Sequence, residues 1–289
     1  MDRYAQLPGW VGGFLFGFSQ NVVQIAHLRY NACMEQTQSS VERRSSLALL
    51  PGIIDRPRQT FAALLETPRW RWVLPLLLCI LALALVSAAT AEFASEQARQ
   101  QQAQVMSQMQ AQLDSMPEAQ RQQTQSLIDR TTSPVFVGGI SFVTRSLGLP
   151  IGWLIGTAIL YFGLAIGGTE LKFSALFSAF SWTWLPFALR DFLQAGWTLA
   201  TGQPLLNPGL SYFFATGDLL ADGRNPVYAL TSLLDLFFLW HIVLVYFLIK
   251  AAKQRGGAFG LTVVYTLLYL ALRVLPILLS SRLAFNPGR

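Results

Sequence analysis

The sequence predicts an all-α, polytopic membrane protein with five transmembrane helices, its N-terminus cytoplasmic and its C-terminus outside. Three observations lead there. The 289-residue chain is 53% hydrophobic and only 12% charged, whereas soluble domains carry about a quarter charged residues. Its apolar residues gather into long runs. No charge interrupts residues 146–169, and roughly 20 apolar residues cross a ~30 Å hydrocarbon core. Its basic residues are unevenly shared among the loops, and that asymmetry sets orientation. Helix is the default because it satisfies its own backbone in lipid, whereas a β-barrel would need short alternating strands.

Residues 1–46 form an N-terminal tail or an interfacial helix. Trp10, Phe14, Phe18, Val22 and Ile25 recur every three or four residues, which suits an amphipathic helix over 8–30 lying in the membrane surface. An unanchored tail, or a start at Met34, is the alternative. A membrane domain over 47–281 follows, and 282–289 is a C-terminal tail. Its lead-in, 47–69, is amphipathic and basic, with Arg56, Arg58, Arg69 and Arg71 beside the interfacial anchors Trp70 and Trp72. Thr60 is placed to cap its apolar run and Pro68 to close it.

The five spans are expected at 72–91, 147–168, 174–200, 226–249 and 258–281. A polar insert with a Gln-rich core occupies 92–134. In it Val105, Met109, Leu113 and Met116 repeat at helical spacing before Pro117. This suits a helical hairpin outside the bilayer, or a solvated spacer that needs no core. Eight Lys or Arg precede the first span, and Lys250, Lys253 and Arg255 crowd the last short turn. The insert instead sets Arg99, Arg121 and Arg130 against five acids, and the 201–225 loop has only Arg224. The richly basic side is cytoplasmic.

The second span carries Gly148, Gly152, Gly156, Gly163 and Gly167. Spacings of four and seven put them on one helix face, where close backbone approach drives helix association in lipid. Either a second copy, a partner, or the third or fifth helix of the same chain would cover it.

Four charges fall inside spans: Arg190, Asp191, Asp235 and Arg273. Counted along their helices, they lie at one depth, which predicts an Asp235–Arg273 contact with Arg190 or Asp191 close by. Charges within spans often mark a proton or substrate pathway. A buried ion-pair lock that sets helix register is the other reading. With no third acid and no pair of broken helices evident, the pattern favours the lock. His241 is not on the face of Asp235 and suits a hydrogen-bonding packing role. Trp182, Trp184 and Trp240 suit packing and anchoring better than a ligand cage.

Other chemistry is missing. Cys33 and Cys79 have no paired spacing, and His27 with His241 are too few for a zinc site, so no metal and no cofactor is expected. No phosphate-binding loop, His-Glu-x-x-His or Gly-x-Ser-x-Gly occurs, and an enzyme is not expected. The net charge of +6 sits beside hydrophobic spans, so it points to the lipid bilayer and not to nucleic acid.

The order of features resembles the Yip (Ypt-interacting protein) domain family in its bacterial form. The resemblance is carried by the lead-in DRPRQTF over 55–61 with Pro68 beyond it, the polar insert, and the glycine-rich second span. It continues through FSAFSWTWLP over 177–186 and LDLFFLW over 234–240. It covers roughly 47–281 and implies five spans with a cytoplasmic N-terminus, in a multi-pass plasma membrane protein of the bacterial inner membrane. Eukaryotic members are associated with trafficking and contact small GTPases. This lead-in is basic and lacks the family's aspartate-tyrosine-glycine run, so the resemblance does not bring GTPase contact with it. The expected function is a non-enzymatic organising or scaffolding protein that acts by association with itself or a membrane-protein partner. A small transporter or channel subunit built on the Asp/Arg cluster is the alternative.

Overall fold

The computed structural model describes residues 46–66, 70–108, 117–253 and 256–284. The interfacial helix expected over 8–30, Met34, Pro68, Arg69, and the stretch holding Met109, Leu113 and Met116 lie outside the described residues. The chain divides into two units at Leu49. Of the first, only the 3-10 turn Ser46–Leu49 is described, and the second holds the membrane domain. Every regular element among the described residues is helical.

The lead-in forms two short helices, α1 (Leu50–Asp55) and α2 (Pro57–Glu66). Pro57 opens α2, where its missing N–H costs nothing. Thr60 does not cap this helix. It sits inside α2, and its hydroxyl bonds back to the Arg56 carbonyl at 3.1 Å. Phe61 and Leu64 are fully buried because α2 packs into the bundle.

The first span, α3 (Val73–Ala89), bends by 58° at Thr90 into α4 (Ala91–Gln108). The Thr90 hydroxyl bonds to the Val86 carbonyl at 2.8 Å, and this back-bonding favours a bend there. The second arm of the insert, α5 (Glu118–Thr131), buries no residue. It leads into α6 (Pro134–Ile166), a 33-residue helix that starts well before the span expected at 147. Ser133 caps α6 and Pro134 occupies its first turn. Its first turns pack on α4, so the extra length carries the helix beyond the charge-free run.

The third expected span is interrupted. α7 (Phe173–Ser181) and α8 (Leu185–Thr201) are joined by a 3-10 turn, Trp182–Trp184. Pro186 withholds one N–H from the ladder at this junction. The loop after α8 contains the 3-10 turn Gly209–Phe213 and the short helix α9 (Leu219–Arg224). Asp222 is buried there, accepting bonds from the Thr216 N–H and hydroxyl at 2.9 and 2.8 Å.

The fourth expected span is also broken, contrary to the continuous helix expected over 226–249. α10 (Pro226–Leu233) and α11 (Leu236–Ala252) meet at 62°. The last helix is α12 (Ala258–Ala284). Among the described residues two helices, α6 and α12, are long and apolar enough to cross a membrane, and up to four spans result if each bent pair counts as one. The α7–α8 pair is too short in each piece to qualify alone. The exposed apolar side chains of α6 (Ile151, Leu154 and Phe162) and α12 (Leu267) are what a lipid-facing bundle presents.

In the bundle, α3 lies against α8 and α6. α6 also contacts α7 and α12, while α11 contacts α12, α8 and α2. The α6–α7 and α11–α12 turns are neighbours, since a Cβ on Gly167 would meet Lys253 Nζ. The glycine face of α6 is largely used within the chain. Gly152 faces Trp184, Gly156 the Phe180 ring, and Gly163 the Leu261 side chain, whereas Gly148 faces open space.

A methyl group at Gly156 would overlap the buried Phe180 ring. Gly156→Ala is therefore expected to destabilise the protein by about 1–3 kcal/mol through overpacking. Gly148→Ala should be neutral or up to about 1 kcal/mol stabilising through helix propensity. Thermal melts in detergent would compare the two. Equal effects would mean that the glycine face is not packed as described.

Candidate functional site

Three helices meet at a chain of ion pairs. On α6, Arg145 Nη2 donates to Asp191 Oδ2 at 3.3 Å. On α8, Arg190 Nε reaches Asp191 Oδ1 at 3.4 Å, and its Nη1 reaches Asp235 Oδ2 at 3.3 Å. Asp235 stands at the break between α10 and α11, where its Oδ1 accepts the Phe238 N–H at 2.7 Å. It thus caps α11, with its charge at the positive end of that helix dipole. The two carboxylates are nearly closed to solvent, at 7% and 9% side-chain exposure.

The break itself is satisfied. Leu210 N–H donates to the Leu234 carbonyl at 3.3 Å. The Gly209–Phe213 turn comes close enough for this because Gly209 has φ +62°, and a Cβ there would strike the same carbonyl.

The structure pairs Asp235 with Arg190, not with Arg273 as the depth count suggested. The count assumed one continuous helix through 226–249, and the break at Leu234 moves Asp235 to a helix start. Arg273 has no carboxylate within ion-pairing distance among the described residues. Its guanidinium lies over the Tyr269 ring at 5.5 Å and donates to that hydroxyl at 3.3 Å. Arg145 was missed because the span was drawn from the charge-free run beginning at Ser146. It lies one turn before Gly148, on the glycine face, and that register was the available signal.

A cavity of about 390 Å³ opens beside the cluster. Arg145, Arg190, Asp191 and Arg273 form its polar wall, and Trp184 and Phe187 face them. A second cavity, about 230 Å³, shares Gly148, Trp184, Tyr269 and Arg273 with the first. It continues along Ile151, Ile155 and Ile159 of α6. Pro150 removes one ladder hydrogen bond from α6 at this level.

Beyond the cavity from the ion pairs is a buried aromatic layer centred on His241, which is fully buried. Its Nδ1 lies 2.7 Å from the Thr183 carbonyl and its Nε2 2.9 Å from the Tyr265 hydroxyl. A carbonyl can only accept, so Nδ1 carries the proton and Nε2 accepts from Tyr265. Phe187, Trp184 and Tyr269 rings surround the imidazole at 5.0–6.0 Å between centroids. Trp182, also fully buried, donates its indole N–H to the Arg71 carbonyl at 3.1 Å and ties the α7–α8 junction to the start of α3.

The family model of the Yip1 domain matches residues 52–275, which include every residue of this site. The chain belongs to the Yip1 domain family. Neither a curated protein nor a solved structure gives a match. The Yip1 region begins within α1 and ends within α12, so the break at Asp235 and the Arg145 pair are features of this domain's own bundle.

Arg190→Gln leaves Asp191 and Asp235 facing each other with one guanidinium removed. The loss should approach the low end of about 3–5 kcal/mol, because Arg190 retains 24% exposure. Asp235→Asn keeps a good cap and loses only the charge, so Asp235→Ala should cost about 1 kcal/mol more. Detergent melts of these variants and of Arg190→Gln/Asp235→Asn form a cycle. A coupling below about 0.5 kcal/mol would show that the pair does not hold α8 to α11.

Proposed function

We propose that this Yip1-domain protein is a non-enzymatic organiser of a bacterial inner membrane, acting by helix association with itself or a membrane-protein partner. Five spans cross the bilayer in this reading: α3, α6, α7–α8, α11 and α12. The N-terminus is cytoplasmic and the C-terminus outside. Support comes from the α6–α7 and α11–α12 turns, which carry Lys172 and Lys253 at one end of the bundle. The α4–α5 insert and the 201–225 loop then fall on the opposite side.

The observation that carries the organising role is the pairing of both intramembrane aspartates. Both aspartates are answered by arginines, and His241 beside them is fully buried, with both ring nitrogens partnered within the protein. Charges so arranged hold helix order and leave little for translocation. Because the glycine face is largely packed inside the chain, association falls on the lipid-facing side of α6, at Ile151, Leu154 and Phe162.

Reporter fusions test the topology. An N-terminal fluorescent-protein fusion should glow and a C-terminal alkaline-phosphatase fusion should be active, and the reverse pattern would sink the orientation. Crosslinking in native membranes tests association. Leu154→Cys should give one discrete adduct, whereas the buried Leu164→Cys should give none. Identical yields at both positions would remove α6 as the contact face. Proton flux into reconstituted vesicles above that of empty ones would overturn the organising role in favour of transport.

A further inference from the structure

The ion-pair chain leaves positive charge over. Arg145, Arg190 and Arg273 face one cavity against Asp191, with Asp235 taken up behind Arg190. Arg273 has no carboxylate partner among the described residues, and Arg145 is 41% exposed beyond its bond to Asp191. Trp184 lines both cavities, is 7% exposed, and its buried indole N–H has no hydrogen-bond partner. Arg273, with no carboxylate partner and lining both cavities, leaves a guanidinium to which an anionic acceptor can bind.

Position narrows the chemistry. At ~1.5 Å per residue, Arg190, Asp235 and Arg273 lie roughly 23–27 Å from the helix ends next to Lys172 and Lys253. That distance approaches the thickness of the hydrocarbon core, about 30 Å, so the cavity opens near the far interface. From there the second cavity follows the groove between α6 and α12, past Gly148, Ile151, Ile155 and Ile159 on α6 and Tyr269 and Tyr265 on α12. From Gly148 to Ile159 is roughly 16 Å of helix, enough for much of an acyl chain. The two cavities adjoin at Gly148, which has no side chain, the first lined by charged groups and the second mainly by isoleucines. A soluble anion would fill the first and have no use for the second.

We propose that the two joined cavities bind an acidic phospholipid from the leaflet opposite the Lys172 and Lys253 turns. Arg273 and Arg145 hold the headgroup phosphate, and one acyl chain lies along the isoleucine groove of α6. The site rests on the membrane placement proposed above. It adds a ligand to the organiser, and the lipid would bridge α6 and α12 as a removable part of their interface.

Native mass spectrometry of the purified full chain in detergent tests this, with phosphatidylglycerol and phosphatidylcholine as probes. Phosphatidylglycerol should be retained at least about fivefold better, the preference that one basic residue confers toward anionic lipid. Arg273→Gln, which breaks no ion pair, should lose about fivefold of that preference. Gly148→Leu should fill the junction and abolish it, while melting within a few degrees of the parent in lipid-free detergent. Equal retention of the two lipids, or unchanged selectivity in both variants, would overturn the proposal. Displacement by inorganic phosphate alone would also overturn it, assigning the site to a soluble anion. Because retention is measured in detergent, a failed topology test and a failed lipid test remain separate results.

Discussion

Arg190 lies between two aspartates at the edge of a hydrocarbon-spanning bundle, and the arrangement of α6, α8 and α11 depends on it. An isolated carboxylate there would be costly enough to be expelled or protonated. Placing one guanidinium against Asp191 and Asp235 removes that cost twice and uses the fork geometry that only arginine supplies. Arg145 completes the set from α6. The pairs contribute less by raw attraction than by making other registers expensive. Sliding α8 by one turn against α11 would leave Asp235 unanswered in a low-dielectric environment.

The same economy governs the backbone. A helix break inside a membrane protein survives only where its freed groups find partners. At Leu234–Asp235 they do: the Asp235 carboxylate takes the Phe238 amide in the first turn of α11, and the Gly209–Phe213 turn brings an N–H to the Leu234 carbonyl. The break and the ion pair share one residue. Asp235 uses one oxygen for the helix and the other for Arg190, so local capping and long-range pairing stabilise each other. The α7–α8 junction uses the same logic with neutral groups, where the Thr183 carbonyl accepts from His241 and fixes its tautomer. That leaves Nε2 to accept from the Tyr265 hydroxyl, so both ring nitrogens of the buried His241 are satisfied.

Much of the architecture was legible along the chain. The apolar runs marked the membrane-forming segments because hydropathy is summed over many residues and tolerates local error. The glycine face was legible because helical periodicity is a local property, and Trp184, Phe180 and Leu261 now occupy it. His241 appeared as a packing residue for the same reason. The Arg145 pairing was not legible, because the charge-free window began one residue after it. Nor was the break at Leu234, since a window of apolar residues averages over a single change of direction. With the break missed, the depth count matched Asp235 to Arg273.

The sequence by itself determined that this is a helical membrane protein, where its apolar helices fall and which side chains carry charge among them. Those follow from composition and period, which each segment holds alone. Only the tertiary structure decided which arginine answers which aspartate, that the glycine face is largely covered from within, and that two cavities share Gly148, Trp184, Tyr269 and Arg273. These are relations between helices far apart in the chain. Their outcome turns on rotations and offsets of a few ångströms, and no single segment encodes them.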